Sequence, residues 1–315
     1  MNHNILGNTG LEVSPLCIGA WQLGGPLSFD GKPDGHPDPG ERQVLAMIGE
    51  LHDLGINHVD TAEQYGAGGS ERRVGKATAT HRDEWIISTK FGYRVGPNQA
   101  RIDDSSPGTI LTSLEGSLRR LNTDYIDIFL YHCAPRTADL EEASAILQKA
   151  REQGKIRFTG ISTESLDLAE ALHRHGLLDV VQFPTNILNE ARDLTAFAGQ
   201  HNIGTQIRGV MAQGRLSGKY FDHTPTWSAD DNRSASPHPA DFTRYAAFRE
   251  LVPEGFTMGQ VAIRWTLDQS AHHTICMGAK TINDYRSALQ ALEMPPLDAT
   301  TGRRLREIAT ALEDR

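Results

Sequence analysis

The chain has 315 residues, 38% hydrophobic and 23% charged, enough apolar material for one sizeable core and an ordinary length for a single α/β barrel. A net charge of −9 with acidic and basic residues intermixed leaves no basic face for a nucleic-acid backbone or an anionic membrane, so neither is an expected partner. Cys17, Cys133 and Cys276 are odd in number and far apart, which fits reduced thiols in a cytoplasm, and the polar start Met1 to Gly10 reads as neither signal peptide nor anchor.

Ile5–Val13 holds Asn8-Thr9-Gly10 between extended residues and is expected to form a hairpin across a barrel floor. Eight short β-branched runs then alternate with segments of helical spacing. The strands are expected at Ser14–Ala20, His58–Thr61, Trp85–Phe91, Tyr125–His132, Ile156–Ser162, Asp179–Asn186, Gly204–Val210 and His273–Ala279. The helices between and after them fall at Glu41–Leu54, Ser70–Thr78, Thr109–Leu121, Leu140–Gln153, Ser165–Arg174, Arg192–His201, Thr257–Asp268 and Thr281–Leu292, with a final one at Asp298–Leu312. Runs such as Ile126–Leu130, apolar on successive residues, suit a parallel sheet covered on both faces. The pattern predicts a (β/α)8 TIM barrel with an N-terminal β-hairpin and an extra C-terminal helix, one domain over residues 1–315. Two long loops, Gln22–Gly40 and Ala212–Phe256, follow strands and should lie over the catalytic face.

Ionisable side chains at the strand ends converge on that face. Asp60 ends the second strand, Lys90 lies at the end of the third, His132 ends the fourth, and Tyr65 sits five residues after Asp60. Taken singly, each is more often a cap, a solvated cation or a core ring. Together they suit acid–base chemistry. An ammonium roughly 4 Å from a phenol, at an effective dielectric of ~20, is worth ~4 kcal/mol, or ~3 pK units. Tyr65 is therefore expected to be poised near neutrality as a general acid for a carbonyl, with Asp60 keeping Lys90 charged. No arrangement of the 13 histidines suggests a metal site: His173 and His175 point to different helix faces.

These residues sit in motifs that resemble the aldo-keto reductase family. The matching stretches are Val59-Asp60-Thr61-Ala62-Glu63-Gln64-Tyr65-Gly66 with Ser70-Glu71, and Ser88-Thr89-Lys90-Phe91-Gly92. Further along come Ser117-Leu118-Arg119-Arg120-Leu121 with Tyr131-His132, then Gly160-Ile161-Ser162, Gln182, Gly214-Arg215-Leu216-Ser217-Gly218-Lys219-Tyr220 and Gly278-Ala279-Lys280. The resemblance implies an NAD(P)-dependent oxidoreductase acting on a small aldehyde, ketone or alcohol. It assigns catalysis to Asp60, Tyr65, Lys90 and His132, and substrate contacts to Trp21, Tyr65 and His132. Ser162, Thr163 and Gln182 would hold the nicotinamide carboxamide, and Arg208 would stack on the ring. Gly209, Val210, Met211, Ala212 and Gln213, with Lys219, would wrap the pyrophosphate. Gly278, Lys280 and Asp284 would meet the adenosine end, while Gly19, Trp21 and Asp60 complete the cofactor set.

NADP(H) is the expected cofactor, with NAD(H) also used, because the chain departs from the family's pattern. Thr163 replaces a common asparagine, Arg208 an aromatic residue, and Asp284 and Ala288 the usual grip on adenosine 2′-phosphate. Lys280 would offer one phosphate contact and Arg286 or Lys219 another, against Asp284 one turn beyond Lys280. Three other readings compete: a Schiff-base lyase using Lys90, a metal hydrolase using Asp60 and His132, and a non-catalytic cofactor-sensing subunit. A charged Lys90 argues against the first. The sequence leaves substrate and oligomeric state open.

Overall fold

In a computed structural model, which describes residues 1–229, 231–235 and 241–313, eight parallel strands close into a barrel. They are β1 (Leu16–Gly19), β2 (His58–Asp60), β3 (Ile86–Phe91), β4 (Ile126–Tyr131), β5 (Ile156–Ser162), β6 (Val180–Pro184), β7 (Gly204–Arg208) and β8 (Thr274–Met277). Each pairs with its neighbours in chain order, and β8 returns to β1, so no edge is left unpaired. Helices follow the strands: α1 (Glu41–Asp53), α2 (Gly69–Thr78), α3 (Pro107–Leu121), α4 (Leu140–Glu152), α5 (Leu166–Arg174), α6 (Arg192–His201), α7 (Met258–Leu267) and α8 (Ile282–Gln290). The last helix, α9 (Ala299–Glu313), packs on the loop helix Thr243–Leu251.

The sequence signals act locally as expected. Thr257 caps α7 by accepting from Gln260 N–H while the Gln260 side chain accepts from Thr257 N–H, and Thr281 caps α8. The fifth strand has its expected bounds, Ile156–Ser162, and the other seven are shorter than expected: β8 stops at Met277 and β1 at Gly19, because the residues beyond turn into the loops of the mouth. Conversely α3 starts two residues early. Pro107 occupies its first turn, where a missing N–H costs nothing.

The hairpin is present, with Asn4 opposite Val13 and Ile5 opposite Glu12. Its turn is a 3-10 segment, Gly7–Thr9, and Gly7 at φ +53 packs where a side chain would collide with the backbone at Asn202–Gly204. Leu6, Leu11 and Val13 are inserted among Ile86, Ile128, Leu130 and Val180, closing the barrel floor. Burying a leucine this way is worth about 1.5–3 kcal/mol. Two small hairpins escaped the sequence: Ser28–Phe29 with Lys32–Pro33 in the first long loop, and Tyr93–Val95 with Arg101–Asp103 after β3. In the second long loop, residues 230 and 236–240 lie outside the described set.

Candidate active site

At the opposite end from the hairpin, a cleft of about 1410 Å³ runs across the strand ends. It exceeds the roughly 300–1,000 Å³ usual for one small ligand. Asp60, at the end of β2, and Tyr65 both line it. Tyr65 is held in a tight turn: its N–H donates to Ala62 O and its carbonyl accepts from Ser70 N–H. Gly66 follows at φ +56, and a side chain there would strike Gly24 O, so the turn is pressed directly against the loop after β1.

Lys90 reaches this turn from β3 and is wholly buried. Its ammonium has three N–H groups, each with a partner: Asp60 Oδ2 at 2.6 Å, Thr61 O at 2.9 Å and Tyr65 Oη at 3.1 Å. Burial works against a charged Lys90, but Asp60 and the Tyr65 oxygen outweigh it and hold its pKa above the ordinary lysine value. Because the tyrosine oxygen accepts from Lys90, the Tyr65 proton is left to point into the cleft.

The expected near-neutral Tyr65 is not what the geometry produces. Burial is the largest influence and raises its pKa above the usual phenol range; Lys90 pulls it down, but Asp60 cancels part of that pull. Tyr65 is therefore protonated at neutral pH. His132, one residue past β4, sets its ring edge-on to Tyr65 with centroids 5.6 Å apart. Burial, then Lys90 and Arg208, push its pKa well below the usual value, so the imidazole is neutral, and its buried Nδ1 has no partner among the described residues.

The remaining residues sort by position. Trp21 stacks on Tyr65 at 6.0 Å and gives its indole N–H to Asp34 O. Gly19, Trp21, Gln182, Arg208, Gly209, Val210, Met211, Ala212, Gln213, Lys219, Gly278, Lys280, Asp284 and Ala288 all line the cleft. Ser162 and Thr163 do not. Ser162 donates to Gln182 Oε1 at 3.1 Å, and the Thr163 hydroxyl is turned to accept from Ser165 N–H. Phe91 stacks on Phe129 in the core, and Trp227 carries the Arg233 guanidinium on its face. Arg286 pairs with Glu50, away from the cleft, which removes it as a phosphate contact. Asp284 does not pair with Lys280. Its Oδ1 takes Lys219 Nζ at 2.7 Å, while Lys280 turns to Asp231 at 3.3 Å.

Several residues of this face went unread. Asn186, two residues past β6, donates to Gly209 O at 3.0 Å, fixing the turn that starts the Gly209–Gln213 loop; the strand-end rule that found Asp60 reaches it too. His36 and Asp231 come from the two long loops, 3.6 Å apart, and no spacing in the chain brings them together. Among the described residues no group of three His, Cys, Asp or Glu side chains is arranged to hold a metal ion.

Residues 15–310 match the profile described as the Aldo/keto reductase family. The chain is 30% identical over 292 residues to aldo-keto reductase YhdN of Bacillus subtilis, covering 89% of this chain and 85% of that protein. It is 29% identical to an NADH-specific methylglyoxal reductase of Escherichia coli, covering 98% of each. A solved glycerol dehydrogenase from Gluconobacter oxydans superposes with a TM-score of 0.84 at 28% identity, over 98% of this chain and 95% of that one.

Proposed function

Since the chain belongs to the aldo-keto reductase family and is an NAD(P)-dependent oxidoreductase acting on small carbonyls or their alcohols, we propose that Tyr65 is its proton donor, activated by Lys90 and Asp60 and assisted by His132. The observation that carries this is the use of all three Lys90 protons, one of them on the Tyr65 oxygen.

The cleft fits a dinucleotide. The turn after β7 runs through positive φ at Gly209, Ala212, Gln213 and Gly214, which leaves backbone groups facing the cleft, and the buried Gln22 Oε1 in its wall has no partner among the described residues. Gln182 and Ser162 would hold the carboxamide and Arg208 the ring face. Gly209–Gln213 with Lys219 would take the pyrophosphate, and Gly278, Lys280 and Asp284 the adenosine. When bound, the reduced nicotinamide supplies the hydride. A carbonyl oxygen would be placed between Tyr65 Oη and the His132 ring, where neutral His132 would donate a hydrogen bond and orient it. As Tyr65 gives up its proton, the negative charge forms on an oxygen that already accepts from Lys90, so no dipole has to reorganise.

The substrates named for the relatives, methylglyoxal and glycerol, make short oxygen-rich carbonyls and polyols the first panel to assay. We read residues 1–315 as one barrel domain working in the cytoplasm. Among the described residues no helix is long and apolar enough to cross a membrane. Replacing Tyr65→Phe should cut carbonyl reduction by ~10²-fold or more while cofactor titration stays near wild type. A variant that kept most of its turnover would remove Tyr65 from the acid role.

A further inference from the structure

Beneath the cleft, a line of buried polar side chains crosses the barrel interior from the proton-donating group to the carboxamide pair, hydrogen-bonded from His58 onward. Asp60 accepts through Oδ1 from Ser88 Oγ at 2.9 Å, and Ser88 Oγ lies 3.4 Å from His58 Nε2. His58 Nε2 is 3.0 Å from Gln206 Nε2; Gln206 Oε1 accepts from Gln182 Nε2 at 2.9 Å, and Gln182 Oε1 accepts from Ser162 Oγ at 3.1 Å. His58, Ser88 and Gln206 are fully buried and Gln182 is 2% exposed, so water corrects none of these contacts.

Donor and acceptor sense propagates from His58 to Ser162; the Ser88 proton is spent on Asp60, so Ser88 is only a neighbour of His58. An amide nitrogen only donates, so Gln206 Nε2 against His58 Nε2 requires that ring nitrogen to be an unprotonated acceptor. Burial keeps the ring neutral, lowering the His58 pKa to about 4, and its one proton then sits on Nδ1, which has no partner among the described residues. Gln206 is thereby fixed with its oxygen toward Gln182; reversing it would set two amide nitrogens face to face. Gln182 then spends one N–H on Gln206 and the other on Cys276 Sγ at 3.8 Å. The Ser162 proton is spent on Gln182 as well. What Gln182, the member of the pair that lines the cleft, offers there is a lone pair and no proton.

We propose that His58 and Gln206 are positioning residues that lock the Gln182 amide in one sense, so that Gln182, its oxygen steadied by Ser162, is an acceptor-only seat selecting the –NH2 of the nicotinamide carboxamide. The inference rests on reading Ser162 and Gln182 as the carboxamide site. Three ligands separate its parts: the natural dinucleotide, its 3-acetylpyridine analogue, in which the carboxamide –NH2 is a methyl group, and ADP-ribose, which lacks the ring. Dissociation constants come from fluorescence or calorimetric titration, in whichever series, with or without the 2′-phosphate, binds wild type more tightly.

Wild type should favour the natural dinucleotide over the analogue by at least about fivefold, the lower range for leaving a buried polar group unpaired. Gln206→Met should bring that ratio close to one and leave ADP-ribose affinity unchanged, which a general loosening of the barrel would not do. If this variant fails to fold, Gln206→Asn, an amide too short to span His58 and Gln182, should lower the ratio in the same way. Gln182→Met is the control. A ratio lost in Gln182→Met but kept in the Gln206 variants overturns the positioning role alone. A ratio kept in both, or absent from wild type, overturns the carboxamide reading and the proposal with it.

Discussion

Asp284 is expected to set how well the cleft can tolerate a third phosphate. Its carboxylate lines the cleft, takes Lys219 Nζ at 2.7 Å through Oδ1 and Thr281 Oγ at 2.7 Å through Oδ2. Burial opposes its charge, but Lys219 and Thr281 outweigh that and hold its pKa below the ordinary value, so it is ionised at neutral pH. A 2′-phosphate in its vicinity meets both a repelling carboxylate and a lysine already in use. Asp284→Asn keeps the shape and one accepting oxygen, enough for Lys219 or Thr281 but not both, and removes the charge. Lys219 is 64% exposed and Asp284 33%, so solvent screening applies. A dianion about 6 Å from one unit charge, at an effective dielectric of ~80, is worth about 1.4 kcal/mol, a factor of about ten. The ratio of kcat/KM for NADP over NAD should rise by about that factor, with kcat little changed, and the gain should shrink at 1 M salt, where the Debye length is about 3 Å. An unchanged or lowered ratio at low salt would show that Asp284 does not face the ribose.

Three further outcomes follow from the geometry. Borohydride added with a carbonyl substrate should leave no adduct on Lys90, because Asp60 keeps the amine protonated; a mass shift on the peptide carrying Lys90 would revive the lyase reading. Burial depresses His36, His58 and His272 each to about 4, so between the unfolded value of about 6.5 and that point only the unfolded chain takes up their protons. Their stabilisation is complete above pH about 6.5 and is lost as pH falls to about 4, by up to ~1.4 kcal/mol per pH unit for each histidine; equal urea midpoints at pH 7.5 and 5 would contradict this. Gly66→Ala should lower both stability and turnover, since it combines positive φ with a collision at Gly24 O, and wild-type kcat with a wild-type melting point would refute the tight turn as the device that places Tyr65.

The fold was legible because each strand–helix unit carries its own period, from the apolar run of Ile126–Leu130 to the Thr257–Gln260 capping box. The clustering of the proposed catalytic side chains was legible for a related reason: strand ends in a barrel converge, so Asp60, Lys90 and His132 needed only their positions to be brought together around Tyr65. What stayed hidden depends on contacts between distant segments. The Lys219–Asp284 and Lys280–Asp231 pairings are set by how long loops fold back, not by helical spacing, which suggested Asp284 with Lys280. Tyr65 acidity was misjudged because a charge is visible in a sequence and desolvation is not. Gln206 and His58 read as ordinary strand residues; only the closed barrel turns them toward the same interior line.

The hairpin that stoppers the floor also gives the molecule two unlike poles for attachment. Met1 is half exposed beside that hairpin, on the side away from the mouth, whereas Leu312 of α9 borders the cleft and accepts from Arg244 through its carbonyl. A surface tether or fused partner joined ahead of Met1 would hold the enzyme by its base with the mouth facing outward. The same cargo joined after α9 would hang over the entrance and compete for room with whatever enters it.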